Sequence, residues 1–360
     1  MRNRMMTTGF LVLALAACGG DDGGGDDGGS GFDDQQIIVD YADQVVIPTY
    51  ELLDEKSNAL DAAVIALDED LSQENLEAAR QAWVDTRVPW EQSEGFLFGP
   101  VSAQGWDPAM DSWPLNQDDL EAVLASDEVI DLAFVSDLPE TQKGFHTIEY
   151  LLWGQDSEKT VDQFDDRELE YLLALTEELT VITGDLATSW TDGVGGDAAY
   201  RDVFTTAGEP GNDAYPALGS AVQEILDGMS GICVEVGTGK IAEPFDERDP
   251  NLVESQYSFN SLYDFQDNMR SVLNAYTGDM PEAGTEGSGL DGWVAERDPD
   301  LDARFKAEIQ TAIDLLGEIP PPFPAAILDE ANDPAIEAAQ AAIATVQVTV
   351  DGDLADLLLQ

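Results

Sequence analysis

The sequence predicts an all-α protein built as two helical-bundle halves. Three observations carry this: apolar residues recur at helical spacing over most of the chain, alternating strand-like runs are nearly absent, and one long Gly/Asp-rich break divides the helical stretches into parts of similar size. Leu172, Leu175, Leu179, Ile182 and Leu186 form one stripe, and Leu218, Val222, Ile225, Met229, Ile232 and Val236 a second. Leu262, Phe265, Met269, Val272 and Tyr276 form a third, and Leu301, Phe305, Ile309, Ile313 and Leu316 a fourth. Such steps of three and four suit antiparallel helices packed like coiled coils. The break at 192–213 is the expected hinge, leaving an N-terminal bundle over 35–195 and a C-terminal bundle over 210–360. No strong internal repeat relates the two.

The chain opens on an address. Arg2 and Arg4 precede the apolar run Phe10 to Ala17, which is too short to span a bilayer as a helix. Leu15-Ala16-Ala17-Cys18 resembles a bacterial lipobox, so residues 1–17 read as a lipoprotein signal peptide and Cys18 as the lipidated residue. An ordinary secretory signal cut near Ala17 is the alternative, and either implies export. Gly19 after the cysteine resembles outer-membrane sorting, with the protein on the periplasmic or the surface face. Gly19 to Gly31 hold no apolar residue and cannot pack, so residues 18–34 read as a self-repelling tether with a reach of about 20 Å. No glutamate stands at the closing position of an EF-hand loop, which argues against calcium there.

Acidic residues number 74 and basic residues 15, for a formal charge of −59. That surface repels nucleic acid and anionic membrane and attracts cations, so membrane contact is expected through the lipid anchor only. A solvated coat suited to salty surroundings accounts for most of the charge. Cys233 has no partner once Cys18 is acylated, so no intramolecular disulfide is expected. With 43 % hydrophobic residues the chain still builds a large core.

The N-terminal half begins with the short stripe Leu53, Leu60, Val64 and Leu67, where Pro48 is expected to kink or begin the helix. Trp83, Arg87, Glu91, Glu94 and Phe98 then follow at steps of four, four, three and four. Aromatics flanking charges on one helix face suggest a partly buried polar site, although an Arg87–Glu91 pair supporting an amphipathic helix fits the spacing too. Pro89 should kink or restart that helix. The proline-bearing stretch from Trp106 to Asn116 reads as a loop with two tryptophans and two aspartates, either a cleft wall or a loop pinned by its rings. In Lys143 to Gly154, the lone histidine of the chain, His146, shares a helix face with Glu149, Tyr150 and Trp153. An imidazole beside a carboxylate suits metal ligation, and it equally suits a core histidine held by its glutamate. Val346 to Val350 alternates like a strand but reads as the end of the last helix.

These residues together resemble the imelysin-like (insulin-cleaving-peptidase-like) proteins of bacterial envelopes. Gly144-x-His146-x-x-Glu149 matches that family's G-x-H-x-x-E signature. Trp90, Glu94 and Phe98-Gly99-Pro100 resemble its W…E…GP stretch, and Ser112-Trp113-Pro114-Leu115 its W-P-L stretch. Gly239-Lys240-Ile241-Ala242, Glu254 to Ser258, Asp264, Asn268 and Tyr276-Thr277-Gly278 are similar to a weaker pattern of the second half. The resemblance covers roughly 35–350 and implies a cleft between the halves, with the motif near it and a link to iron acquisition. Where the family commonly has aspartate after W-P-L, this chain has Asn116, which puts a ligand role there in doubt.

Zinc proteolysis usually takes two histidines on one helix turn, and this chain has one histidine, followed by Thr147. A metallopeptidase of the imelysin type is therefore an alternative rather than the leading expectation, as is a cleft that binds a peptide or envelope partner without metal. The leading expectation is a metal-binding protein, for iron first with zinc still open, working with an envelope iron-transport partner and taking the ion free or as an iron complex. The expected ligands are His146 and Glu149 with Glu91, Glu94 and Asp111; Arg87, Trp90 and Tyr150 are the expected supporting residues.

Overall fold

The computed structural model describes residues 32–360, which are helical with no strand among them, and an isolated antiparallel bridge joins Met280 and Thr285. The leader, Cys18 and the tether as far as Gly31 lie outside the described residues. The principal helices are α1 (Ile47–Glu69), α2 (Gln73–Glu91), α3 (Trp106–Asp111), α4 (Gly144–Trp153) and α5 (Asp166–Thr191) in the first half. The second half contributes α6 (Leu218–Val234), α7 (Ser261–Thr277), α8 (Pro299–Glu318) and α9 (Asp333–Thr349). Local chemistry sets their starts. Ser72 and Asp298 cap α2 and α8 by accepting from Asn75 and Leu301 backbone N–H, and Asp165 with Glu168 closes a reciprocal capping box on α5.

The prolines behave in two ways. Helical structure begins before Pro48, at Gln35, and passes through a wide π-type segment, Tyr41–Val46, directly upstream of α1. A proline ring crowds the carbonyl four residues back and offers no N–H, and the wider turn absorbs both defects. The same arrangement recurs where Glu235–Ala242 widens just before Pro244. Pro89 lies inside α2, which does not restart there but runs two residues further to Glu91; the ring removes one backbone donor close to the end of the helix. Helix α9 takes in Val346 to Thr349 and continues through a π segment, Val350–Leu354.

Short helices lie between the long ones, among them Pro100–Ala103, α3, Tyr200–Thr205, Glu243–Glu247 and Leu290–Arg297. One or two turns are too few to show a period, so the expected loop at 106–116 turns out to begin with a helix. No helix among the described residues is long and apolar enough to cross a membrane.

Helix α1 packs on α2 and α5, and α4 lies across α2 and α5. In the second half α8 packs on α7 and α9, and α6 on both α7 and α9. The halves meet where α7 lies on α2 and where α6 crosses the turn Glu94–Phe96. A Cβ on Gly228 of α6 would stand 2.1 Å from the Gly95 carbonyl oxygen, so only glycine permits that backbone-to-backbone approach. The apolar core runs unbroken through both halves, with Trp83, Trp90 and Trp190 fully buried. The charged C-terminal end of α2 is thereby carried into the middle of the molecule.

Candidate metal centre

Five further pieces of chain converge on that end of α2. Arg87, Trp90 and Glu91 come from α2 itself, with Glu94 on the 3-10 turn that follows. Asp111 ends α3, and His146 and Glu149 lie on α4. Lys240 comes from the π segment, Glu254 from the loop after it, and Asp264 and Asn268 from α7. All of these side chains are buried; Arg87, Glu91, Lys240, Glu254 and Asn268 are 0 % exposed.

Gly144 fixes where α4 begins. It sits at φ +75°, and a Cβ there would be 2.2 Å from the Met110 carbonyl oxygen. The glycine of the G-x-H-x-x-E pattern thus lets the start of α4 press on the end of α3, which sets His146 beside Asp111. Gly144→Ala is expected to destabilise the fold by on the order of 2 kcal/mol, measured by urea unfolding. A loss under about 0.5 kcal/mol, within the range of an ordinary surface substitution, would mean this contact does not position α4.

Arg87 donates to Asp111 Oδ1, to Glu91 Oε1 and, at 2.8 Å, to Glu254 Oε1, with Asp264 Oδ2 at 3.5 Å. Lys240 Nζ lies 2.8 Å from Glu94 Oε2, 3.3 Å from Glu91 Oε2, and 3.2 and 3.0 Å from the two oxygens of Glu254. The Trp90 indole donates to Asp111 Oδ2 at 2.5 Å, and Asn268 donates to Glu91 and Glu94 at 2.6 and 2.7 Å. Burial raises the Asp111 carboxyl, but Arg87, His146 and Lys240 outweigh it and hold it far below the usual carboxylate range. Glu254 also feels burial first, and Lys240, His146 and Arg87 bring it down to about 2. Asp264 goes the other way: burial pushes it up to about 7 and Arg87 offsets only part of that. Burial also pushes Glu94 well above the usual range, against the pull of Lys240.

The imidazole stands between two kinds of partner. Its Nδ1 is 3.2 Å from Glu149 Oε2, while Nε2 is 3.1 Å from Asp111 Oδ1 and 3.7 Å from Glu254 Oε1. Burial lowers the His146 pKa, but the carboxylates of Asp111, Glu149 and Glu254 beside the ring outweigh it and leave the group well above the ordinary imidazole range. Even so, Nε2 makes no well-directed hydrogen bond, and neither does Glu254 Oε2. Orphaned buried polar atoms are costly, and these two are both metal-ligand atoms. One ligand atom each from Asp111, His146 and Glu254 lies within 4.8 Å of the others, and Glu91, Glu94 and Asp111 form a second such group.

Sequence reasoning and structure part company over Glu149 and Glu254. Glu149 lies on the Nδ1 side, where its Oε1 accepts from Tyr257 N at 3.0 Å and from Ser258 N and Oγ at 2.7 Å. It orients the ring and anchors the 255–259 loop. Glu254 takes the place beside Nε2. Tyr150 meets the ring of Tyr257 edge-on, 5.2 Å between centroids, and so bears on the cluster through that loop. Asn116 caps the helix Gln117–Leu124 by accepting from Asp119 N, away from the cluster. One signal for Lys240 was present: it extends the stripe Ile232, Val236 by four residues, and a lysine on an apolar stripe implies a buried ammonium.

Between the halves a crevice lined by Trp113, Leu115, His146, Val253 and Tyr257 has a volume of about 10 Å³, room for about one water-sized sphere. A cavity of about 470 Å³ lies elsewhere, lined by Pro100, Trp106, Val194 and Tyr200 among others, and Asp197 is the one carboxylate on its wall.

A family model described as Imelysin matches residues 46–350. A protein named iron-regulated protein A from Synechococcus elongatus is 32 % identical over 323 residues, covering 90 % of this chain and 86 % of the relative. Among solved structures, a protein described as an iron-regulated protein A precursor from Parabacteroides distasonis superposes with a TM-score of 0.82 at 29 % identity, covering 90 % of this chain and 94 % of that one. An imelysin-like protein from Psychrobacter arcticum shares the fold at a TM-score of 0.72 and 12 % identity, covering 90 % and 95 %.

Proposed function

Because this chain belongs to the imelysin family, we propose that it is an exported, lipid-anchored envelope protein that binds one metal ion, iron, as a step in iron acquisition. The observation that carries the reading is the pair of buried, hydrogen-bond-orphaned ligand atoms, His146 Nε2 and Glu254 Oε2, with Asp111 beside them. His146, Asp111 and Glu254 are the ligands on this reading. Glu149 fixes the ring through Nδ1, and Arg87 and Trp90 hold Asp111, as outer partners of a metal site commonly do. Oxygen-rich ligation with one imidazole suits iron, and the names of the two iron-regulated relatives support iron over zinc. The crevice admits an ion or a water but no peptide strand, which favours binding over peptide cleavage. Cys18, the outer membrane and a transport partner that receives the ion complete the proposal.

The site chemistry also states how the ion would be exchanged. The carboxylates around His146 raise its pKa, and a cation at Nε2 would compete with a proton there, so binding should weaken in acid. Calorimetry with Fe(III)-citrate, Fe(II) and Zn(II) tests the assignment. The expected result is one ion per chain, with His146→Ala losing more than the roughly 10–100-fold that removal of an outer partner costs. Equal affinity in a folded His146→Ala protein would refute the site.

A further inference from the structure

Lys240 is surrounded as a metal ion is surrounded. Its ammonium is 0 % exposed, lies within 3.3 Å of oxygens from Glu91, Glu94 and Glu254, and stands 5.3 Å over the Trp113 ring. Three carboxylates converge here on a single point of charge. Two of those carboxylates, Glu91 and Glu94, together with Asp111 form the second group whose oxygens lie close enough to share an ion. An acidic cluster alone would say little. Independently, one fully buried acceptor at this end of the network has no donor: Oδ1 of Asn268, whose amide nitrogen already holds Glu91 and Glu94. A network built only as ion pairs would not leave that acceptor unsatisfied.

The backbone has been shaped to bring the lysine there. The π segment Glu235–Ala242 widens the helix after α6, and Lys240 stands on its last turn. Such wide turns commonly reorient a functional side chain.

We infer that Lys240 is a tethered cation filling a second cation position next to that of His146, so that the cluster accepts one free metal ion where its carboxylates would otherwise accept two. The second position would take a hard, oxygen-seeking divalent cation. The inference deepens the metal-binding reading, but its second position needs no ligand from His146, and that makes the two separable.

Mn(II) titrated into the whole chain, followed by calorimetry and electron paramagnetic resonance, tests it. Wild type is expected to bind one ion and Lys240→Met two, the latter with a spin-coupled signal from neighbouring ions. The double variant Lys240→Met/His146→Ala should bind one. If wild type binds none but the double variant binds one, the proposed function fails and this inference stands. A Lys240→Met protein that folds only when Mn(II) is supplied also supports it, since the ion then replaces the lost ammonium. A folded Lys240→Met protein with wild-type stoichiometry, or one that stays unfolded in Mn(II), overturns it and leaves Lys240 as an ion-pair residue.

Discussion

Arg87→Ala is expected to lower the stability of the metal-free protein by about 3–5 kcal/mol, read from urea unfolding at neutral pH. The guanidinium is fully buried and is the shared partner of Asp111, Glu91 and Glu254, with Asp264 within 3.5 Å. Four coulombic partners, Asp111, Asp264, Glu254 and Glu94, outweigh the burial that would lower its pKa, so the charge is held firmly on the side chain. Taking it away strands several buried carboxylates at once, which costs far more than the pair contributes over an apolar replacement. Arg87→Lys should recover little, because a single ammonium cannot bridge Asp111 and Glu91 from one planar fork. A loss below about 1 kcal/mol for the alanine variant, the scale of an exposed pair, would mean the cluster does not need this charge.

The second large effect is in pH. For Asp264, burial lifts the folded pKa to about 7, above the ordinary 3.8. Between those values the folded protein binds the extra proton, so stability falls as pH rises from about 4 to 7 and levels beyond. The span corresponds to on the order of 4 kcal/mol for a fully buried group. His146 adds to the same trend: its raised pKa gives stability that is whole below about 6.5 and is lost as pH climbs through the folded value. Asp111 and Glu254 oppose it at the acid end, where their lowered pKa values make stability drop as pH falls below about 4. The metal-free protein should therefore be most stable in mild acid and weaken toward pH 8. Asp264→Asn keeps the side-chain shape while removing its titration, so it should flatten much of the slope between pH 4 and 7. An unchanged slope in urea midpoints for that variant would contradict the assignment.

What the sequence disclosed followed from periodicity and spacing. The four long apolar stripes became α5, α6, α7 and α8 because each repeats over enough turns to reveal its face. The short helices were hidden because one or two turns bury too few residues to leave a pattern, and α3, which delivers Asp111, was among them. In the cluster, residues on a single helix were legible, as with Arg87 and Glu91 or His146 and Glu149. The exchange of Glu149 for Glu254 beside Nε2 was not, since it depends on a loop reaching in from more than 100 residues away. Spacing says which side chains share a face, and it says nothing about which side of an imidazole a distant carboxylate will occupy.

The cluster also has no single owner. Arg87 reaches from the first half to Glu254 and Asp264, Lys240 reaches back from the second to Glu91 and Glu94, and Glu149 holds the backbone at Tyr257 and Ser258. Of the proposed ligands, His146 and Asp111 ride on one half and Glu254 on the other. On the proposed reading, affinity for the ion depends on the spacing between the segments that carry these residues. Parting those segments by an ångström or two would break the proposed ligand shell without any change in acidity or oxidation state.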